Sequence, residues 1–274
     1  MIQYRNGDFF GEFSDDFFIE EVKLLIATSN KVPAILTPVR GLNKELAEIF
    51  SFIGFIFFPT VLTSTVLKKE TAAGTYYVKI YHPIGMFKKL KERIAPKALR
   101  TFRKTFHAMK RGLKTPMPLG WCYLKREHKS ILLTKEASGK SLYDLLIREK
   151  HVHYLTAIGL TNEDLIIKVA HEVASAHKAG IFFKDLHLGH IYISDVGIEF
   201  IDLDGIKIKR NLTESELARD ISCLNDPDLP FSSKERMCFL IAYLEALQWN
   251  GIDKKRLVKK IEEFSLKRYK KWKV

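Results

Sequence analysis

The spacing of apolar positions changes along the chain and marks out its elements. The stretch VLTSTVLKKE is β-branched, TAAGT supplies a turn glycine, and TYYVKIYHP closes on a proline. This pattern predicts two antiparallel strands joined at Ala72–Gly74. Between Ala95 and Gly112 the spacing turns helical. Leu99, Phe102, Phe106 and Met109 fall three or four residues apart with basic residues between them, Pro96 suits a first helical turn, and Gly112 suits a stop. TPMPLGWCYL then leads into a strand, SILLTKEA. A second helix is predicted over Glu163–Ala179. Thr161 and Asp164 form a capping pattern, Leu165, Ile166, Val169, Val173 and Ala176 make one apolar face, and Gly180 fits the left-handed position past the end. His171 and His177 sit six apart on it, do not share a face, and read as ordinary helix residues. IFFKDLHLGHIYIS and GIEFIDLDGIKIKR predict a loop, a strand, a turn and a strand, and the last hundred residues or so alternate amphipathic helices.

Composition bounds the possibilities. The chain has 274 residues, 46% of them hydrophobic, enough for one large domain or two lobes. Cys122, Cys223 and Cys238 are widely spaced with no CxxC pair, which argues against a disulfide framework or zinc ribbon and for reduced thiols. The first residues lack a basic start followed by an apolar run, so no signal peptide is expected. The most apolar run, Ile49–Phe58, stops at Pro59 and is far short of the roughly 20 residues of a membrane span. It reads as a buried strand or helix.

Charge is unevenly placed. The net charge is +13, yet residues 1–60 carry eight acids against five bases and ten of the nineteen phenylalanines. Between Lys79 and Lys114 there are twelve Lys/Arg and one acid, Glu92, and Lys254–Lys273 holds ten bases against two acids. Such a field favours a polyanionic partner. Nucleic acid is disfavoured, because the basic residues lack the interleaved aromatics of a stacking platform. Tyr269 and Trp272 among lysines suit an interfacial anchor or a plain terminal helix.

Three acids stand within apolar runs: Asp185 in FFKDL, and Asp202 and Asp204 in FIDLDG. A buried carboxylate needs a cation, a metal or donors. Two such clusters seventeen residues apart, joined by a hairpin, invite a metal-binding or proton-transfer reading. Lys79, inside YYVKIY, adds a cation on a strand. Plainer readings stand beside these: Lys79 as an edge-strand lysine, Asp202 as a turn cap with Gly205, His187 as structural, or His187 and His190 together as a transition-metal pair.

The order of these parts resembles that of protein kinases. YVKI is similar to the strand bearing the kinase lysine, FKDLHLGH to the catalytic loop with Asp185 at the aspartate, and FIDLDG to the segment with the metal-binding aspartate, here Asp202. His190 stands where the catalytic-loop asparagine would be. That histidine makes the chain resemble the bacterial lipopolysaccharide kinases of the Kdo/WaaP type. The likeness runs from about Lys79 to Tyr243 and includes FKKLKERIAPKALRTF, MKRGLKTPMPLG, ILLTKEASGKSLYDLL and ARDISCLNDPDLPFSSKERMCFLIAY.

The resemblance implies an α+β, protein-kinase-like two-lobe fold with a small antiparallel-sheet N-lobe and a mainly helical C-lobe. The expected division is residues 1–135, an N-terminal extension plus sheet lobe with the basic helix, and 136–274, a helical lobe with the catalytic and metal-binding loops. The implied activity is transfer of the γ-phosphoryl group of ATP to a heptose or Kdo hydroxyl of the lipopolysaccharide inner core. Lys79 would hold the α/β phosphates, Asp185 would orient the hydroxyl or accept its proton, and His190 and Asp202 would hold Mg²⁺. Imidazole shifts the preference toward Mn²⁺ or toward contact through water. The implied setting is the cytoplasmic face of an anionic inner membrane, with the protein peripheral to it.

The chain departs from the kinase pattern at four places. No Gly-rich loop precedes Lys79, and only TVLTSTV and Gly54 stand nearby. No glutamate occupies the place that should pair with the strand lysine, where Thr101 falls instead. Phe183 and Lys184 replace the histidine and arginine before the catalytic aspartate. These departures keep open a nucleotide- or lipid-binding pseudokinase, and a kinase of the same fold for another small molecule or a protein.

Overall fold

The computed structural model describes residues 1–31, 44–58, 61–72, 74–148, 159–225, 229, 231–248 and 253–272. The chain forms two compact units: residues 1–106 with 116–136, and residues 107–115 with 137–274.

The first unit is built on a seven-stranded antiparallel sheet. Its strands are β1 (Ile2–Arg5), β2 (Phe9–Phe13), β3 (Ile56–Phe57), β4 (Ser64–Thr71), β5 (Gly74–Tyr81), β6 (Pro118–Leu124) and β7 (Lys129–Lys135). They lie in the order β1-β2-β6-β7-β5-β4-β3. The predicted hairpin is β4–β5, with Val66 opposite Lys79. Side chains of successive strand residues point to opposite faces, so β5 serves two cores. Tyr76, Val78 and Ile80 join Phe9, Phe13, Leu67 and Leu133 under α1 (Asp16–Lys31) and α2 (Lys44–Phe52). Tyr81 faces the other way, with Trp121, Tyr123 and Leu132, against Ala98 and Phe102 of α4 (Lys97–Lys110). The apolar run Ile49–Phe58 divides into the end of α2 and the strand β3, turning at Gly54 with φ +80°. Phe50, Phe55 and Phe57 are buried whereas Phe52 is exposed. Pro59 lies outside the described residues.

Glu92 belongs to a short helix, α3 (Met86–Ile94), and is buried. Its carboxylate accepts the Lys97 backbone N–H at 2.8 Å and the Ser130 hydroxyl. The Ser130 oxygen in turn accepts the Ala98 N–H at 3.1 Å. The first amides of a helix lack partners inside it and favour a nearby anion. The single acid of the basic stretch is therefore committed to the N-terminus of α4.

The second unit is mainly helical. α5 (Asn162–Lys178) packs on α7 (Ser233–Leu247), and α6 (Glu214–Leu224) packs on α8 (Lys254–Trp272). The capping box at Thr161 and Asp164 is present as predicted, and two more close at Thr213 with Glu216 and at Ser232 with Glu235. Short strands lie against the helices: β8 (Lys140–Ser141), β10 (Ile191–Ser194) and β11 (Gly197–Phe200) form one sheet, and β9 (Ile181–Phe182) pairs with β12 (Lys207–Ile208). Gly180 ends α5 with φ +77°, and a Cβ there would lie 2.0 Å from the Lys209 carbonyl oxygen. Only glycine meets both demands. Arg111 bridges the Ala179 and Lys209 carbonyls at 2.7 Å each, fixing the same junction. Among the described residues no helix is long and apolar enough to cross a membrane. The side chains of Tyr269 and Trp272 lie outside those described.

Two predictions follow from this packing. Glu92→Ala removes the cap of α4 and should lower stability by about 2 kcal/mol in urea unfolding, whereas Arg93→Ala, at an exposed neighbour, should change it by less than about 0.5 kcal/mol. Equal effects would show that Glu92 does not cap α4. The second concerns His82, which is buried with its Nε2 2.8 Å from the Thr65 hydroxyl. Burial, aided by Lys129, lowers its pKa from 6.5 to about 4. The unfolded chain takes up this proton near pH 6.5 and the folded chain does not until about pH 4. The contribution is thus whole above the higher value and lost as pH falls between the two, up to about 3 kcal/mol. His82→Gln should flatten the dependence of the urea midpoint on pH in that window, and an unchanged slope would assign it to other groups.

Candidate active site

The site in the helical unit begins with a backbone clamp. Asp220 on α6 has no exposed surface, and its two carboxylate oxygens accept the Phe183 and Lys184 amides at 2.7 Å each. His177 on α5 lies behind it, with Nε2 3.3 Å from Asp220 and Nδ1 2.8 Å from the Tyr243 hydroxyl on α7. A carboxylate only accepts, so the hydrogen on Nε2 is donated to Asp220. Burial, with the charge of Asp220, holds the Tyr243 phenol well above its ordinary pKa, so it keeps its proton. A buried carboxylate with three donors is satisfied; one without them would not be tolerated.

The clamp sets the conformation of the loop. Lys184 adopts φ +72°, an uncommon value for a residue with a long side chain. Holding both neighbouring amides fixes this turn, an arrangement typical of strain kept at a functional site. Phe183 and Leu186 point into the core, while the Asp185 side chain between them is 71% exposed. In the structure the neighbours are buried and the acids are not: Asp202 is 36% exposed at its side chain. The deeply buried carboxylate is Asp220, which the spacing of the chain did not single out.

After Asp185 the chain makes a 3-10 turn, Leu188–His190, before β10. His187 caps it, its Nδ1 accepting the Gly189 amide at 3.1 Å. Burial, reinforced by His190, lowers the His187 pKa to about 4. The two imidazole rings lie 3.5 Å apart between centroids. His190 Nδ1 is 3.0 Å from the Asp185 carbonyl, which can only accept, so this nitrogen carries a hydrogen. The other nitrogen, Nε2, faces the Asp202 carboxylate at 3.7 Å. That separation is too long for a hydrogen bond. It suits either an imidazolium–carboxylate pair or two ligands of one cation, since metal bonds of about 2.1 Å place neighbouring ligand atoms roughly 3–4 Å apart. Asp202 sits in the left-handed region, φ +56°, ahead of the turn Leu203–Gly205, and its side chain does not cap that turn. Among the described residues no group of three or more His, Cys, Asp or Glu surrounds a metal position. A cation held here would take its remaining ligands from water or from a bound anion.

Arg268 on α8 completes the cluster. Its Nη2 is 3.8 Å from the Asp185 carboxylate and its Nη1 is 2.7 Å from the Cys223 sulfur. Burial pushes the Cys223 thiol up to about 11, so the sulfur stays protonated, donating to the Arg219 carbonyl at 3.2 Å. Sequence reasoning missed Arg268 because it lies 83 positions beyond Asp185 in a helix of many basic residues.

Lys79 lies in the sheet unit. It is half-buried on β5, between β4 and β7, and so is not on an edge strand. Its Nζ lies 5.6 Å from the Tyr81 ring centroid on the face covered by α4. Asp185, His190 and Asp202 come together in the helical unit.

No protein-family model matches the chain, and no curated protein matches it in sequence. Its fold is nevertheless that of solved proteins. The chain is similar to a structure described as WaaP in complex with acyl carrier protein, with a TM-score of 0.53 and 18% identity, over 78% of this chain and 88% of that one. The sheet unit and the mainly helical unit together have the α+β, kinase-like architecture. At that identity the likeness establishes the fold and leaves the chemistry to the residues.

The clamp makes its own prediction. Asp220→Ala strands two buried amides and the His177 N–H, and should cost about 3–5 kcal/mol in chemical denaturation. A cost under about 1 kcal/mol would show that the loop is held by other contacts.

Proposed function

We propose that the chain is an ATP-dependent phosphotransferase acting on a sugar hydroxyl, heptose or Kdo, of the lipopolysaccharide inner core. The observation that carries this reading is the exposed Asp185 on a loop clamped by Asp220, with His190 and Asp202 paired beside it. The similarity of the fold to WaaP supports the same reading.

Phosphoryl transfer asks a protein mainly for placement and charge neutralisation. Asp185, solvent-facing yet fixed through its backbone, would orient the acceptor hydroxyl and take its proton. His190 and Asp202 would hold Mg²⁺, or Mn²⁺ given the imidazole, and the ion would neutralise phosphate charge. Lys79 would pair with the α and β phosphates. The basic surfaces over Lys79–Lys114 and along α8 would draw an anionic glycolipid from an inner-membrane surface.

One observation favours a second reading, a nucleotide-binding pseudokinase. Glu92, the only acid between Lys79 and Lys114, is used to cap α4, and no Gly-rich loop precedes β5. Without a Gly-rich loop over the phosphates, ATP would be positioned less well.

Turnover of ATP with purified core oligosaccharide separates the two. Asp185→Ala and Asp202→Ala should each reduce transfer by about 100-fold or more. Transfer that survives both changes would end the kinase reading. Thermal stabilisation by ATP without any transfer in the unaltered protein would favour the pseudokinase.

A further inference from the structure

The helix α3 is built inside out. Its only buried residue is Glu92, while its apolar side chains face solvent. Phe87 is 89% exposed, Met86 82%, Ile94 77% and Leu90 55%. At about 100° per residue, these four fall within one arc of roughly 100°. Lys91 and Arg93 flank that arc on either side, and Glu92 lies opposite its centre. Ile84, just before the helix, is also exposed. Lys88, Lys89, Lys91 and Arg93 are all exposed, and the one acid of the segment is turned inward, so every charge the helix shows to solvent is positive.

We propose that α3 docks the protein on an anionic lipid bilayer, with Met86, Phe87, Leu90 and Ile94 entering the headgroup–acyl boundary and the flanking bases meeting lipid phosphates. An amphipathic helix with an aromatic apolar face and a Lys/Arg-rich border has the form of an interfacial anchor. Charge complementarity selects the surface, since a neutral partner would leave four cations uncompensated and a basic one would repel them. Shape favours lipid over protein, because a bilayer takes up the apolar side of a nine-residue helix directly, whereas a protein partner needs a groove shaped to seat it. The Glu92 bonds to Ser130 and Lys97 explain how so exposed a helix keeps its orientation: its polar side is tied to the sheet unit. The inference does not depend on phosphate transfer.

Vesicle flotation of the full chain without nucleotide tests it. Vesicles of phosphatidylcholine with about 30% phosphatidylglycerol should carry the protein, pure phosphatidylcholine should carry far less, and about 0.5 M salt should weaken the difference. Phe87→Ser with Leu90→Ser should weaken partition about tenfold or more. Phe52→Ser, at an equally exposed phenylalanine on the acid-bearing α2, should leave it unchanged. Phe87→Trp supplies a reading that needs no loss of binding: brominated lipid should quench its emission beyond the quenching seen in the unaltered protein. Undiminished partition of the double variant, an equal loss in Phe52→Ser, or no added quenching at position 87 overturns the proposal and leaves the ridge to a protein partner.

Discussion

The candidate chemistry rests on one buried carboxylate. Asp220 fills the hydrogen-bonding needs of two consecutive amides, and those amides determine that Phe183 points inward and Asp185 outward. Its own burial is affordable because His177, supported by Tyr243, supplies a third donor. Three helices thus contribute one side chain each to a relay that ends in the conformation of a loop. A short β9–β12 pairing could not hold that loop alone, since two-residue strands offer few ladder bonds.

Downstream of the clamp the geometry is local. The 3-10 turn and the β10–β11 hairpin return the chain so that His190, whose Nδ1 is bound to the Asp185 carbonyl, meets Asp202. Orientation by a backbone carbonyl decides which imidazole nitrogen is left for the carboxylate, much as outer hydrogen bonds orient metal-binding histidines. Arg268 adds positive charge beside the Asp185 carboxylate, from a helix far along the chain. Asp185 is thus placed by its backbone and bordered by groups of both kinds, a cation and a histidine–carboxylate pair.

The basic stretch Lys79–Lys114, most of it in the sheet unit, shows a different economy of charge. Twelve bases surround a single acid between Lys79 and Lys114, and that acid is drawn under the surface to the start of α4. Capping α4 and inverting α3 are one event, because the same carboxylate that meets Lys97 fixes which side of α3 faces the sheet. The apolar residues of α3 are then left outside by geometry, a costly arrangement for a protein surrounded only by water.

The sequence by itself determined the local elements. The β4–β5 hairpin, the capping box at Thr161 and Asp164, the stop at Gly180 and the hairpin between Asp185 and Asp202 all follow from side-chain spacing and turn chemistry within a few residues. The kinase-like order of parts, and the fold it implied, were legible for the same reason. Tertiary structure decided what is buried. Asp185 and Asp220 both stand among apolar residues, and nothing nearby in the chain says that the first faces water while the second is enclosed; partners 36 and 37 positions away settle it. Glu92 depended likewise on Ser130, 38 positions on, and Arg268 on the packing of α8. Periodicity records which residues share a face of an element, but only packing between elements assigns that face to the core or to solvent.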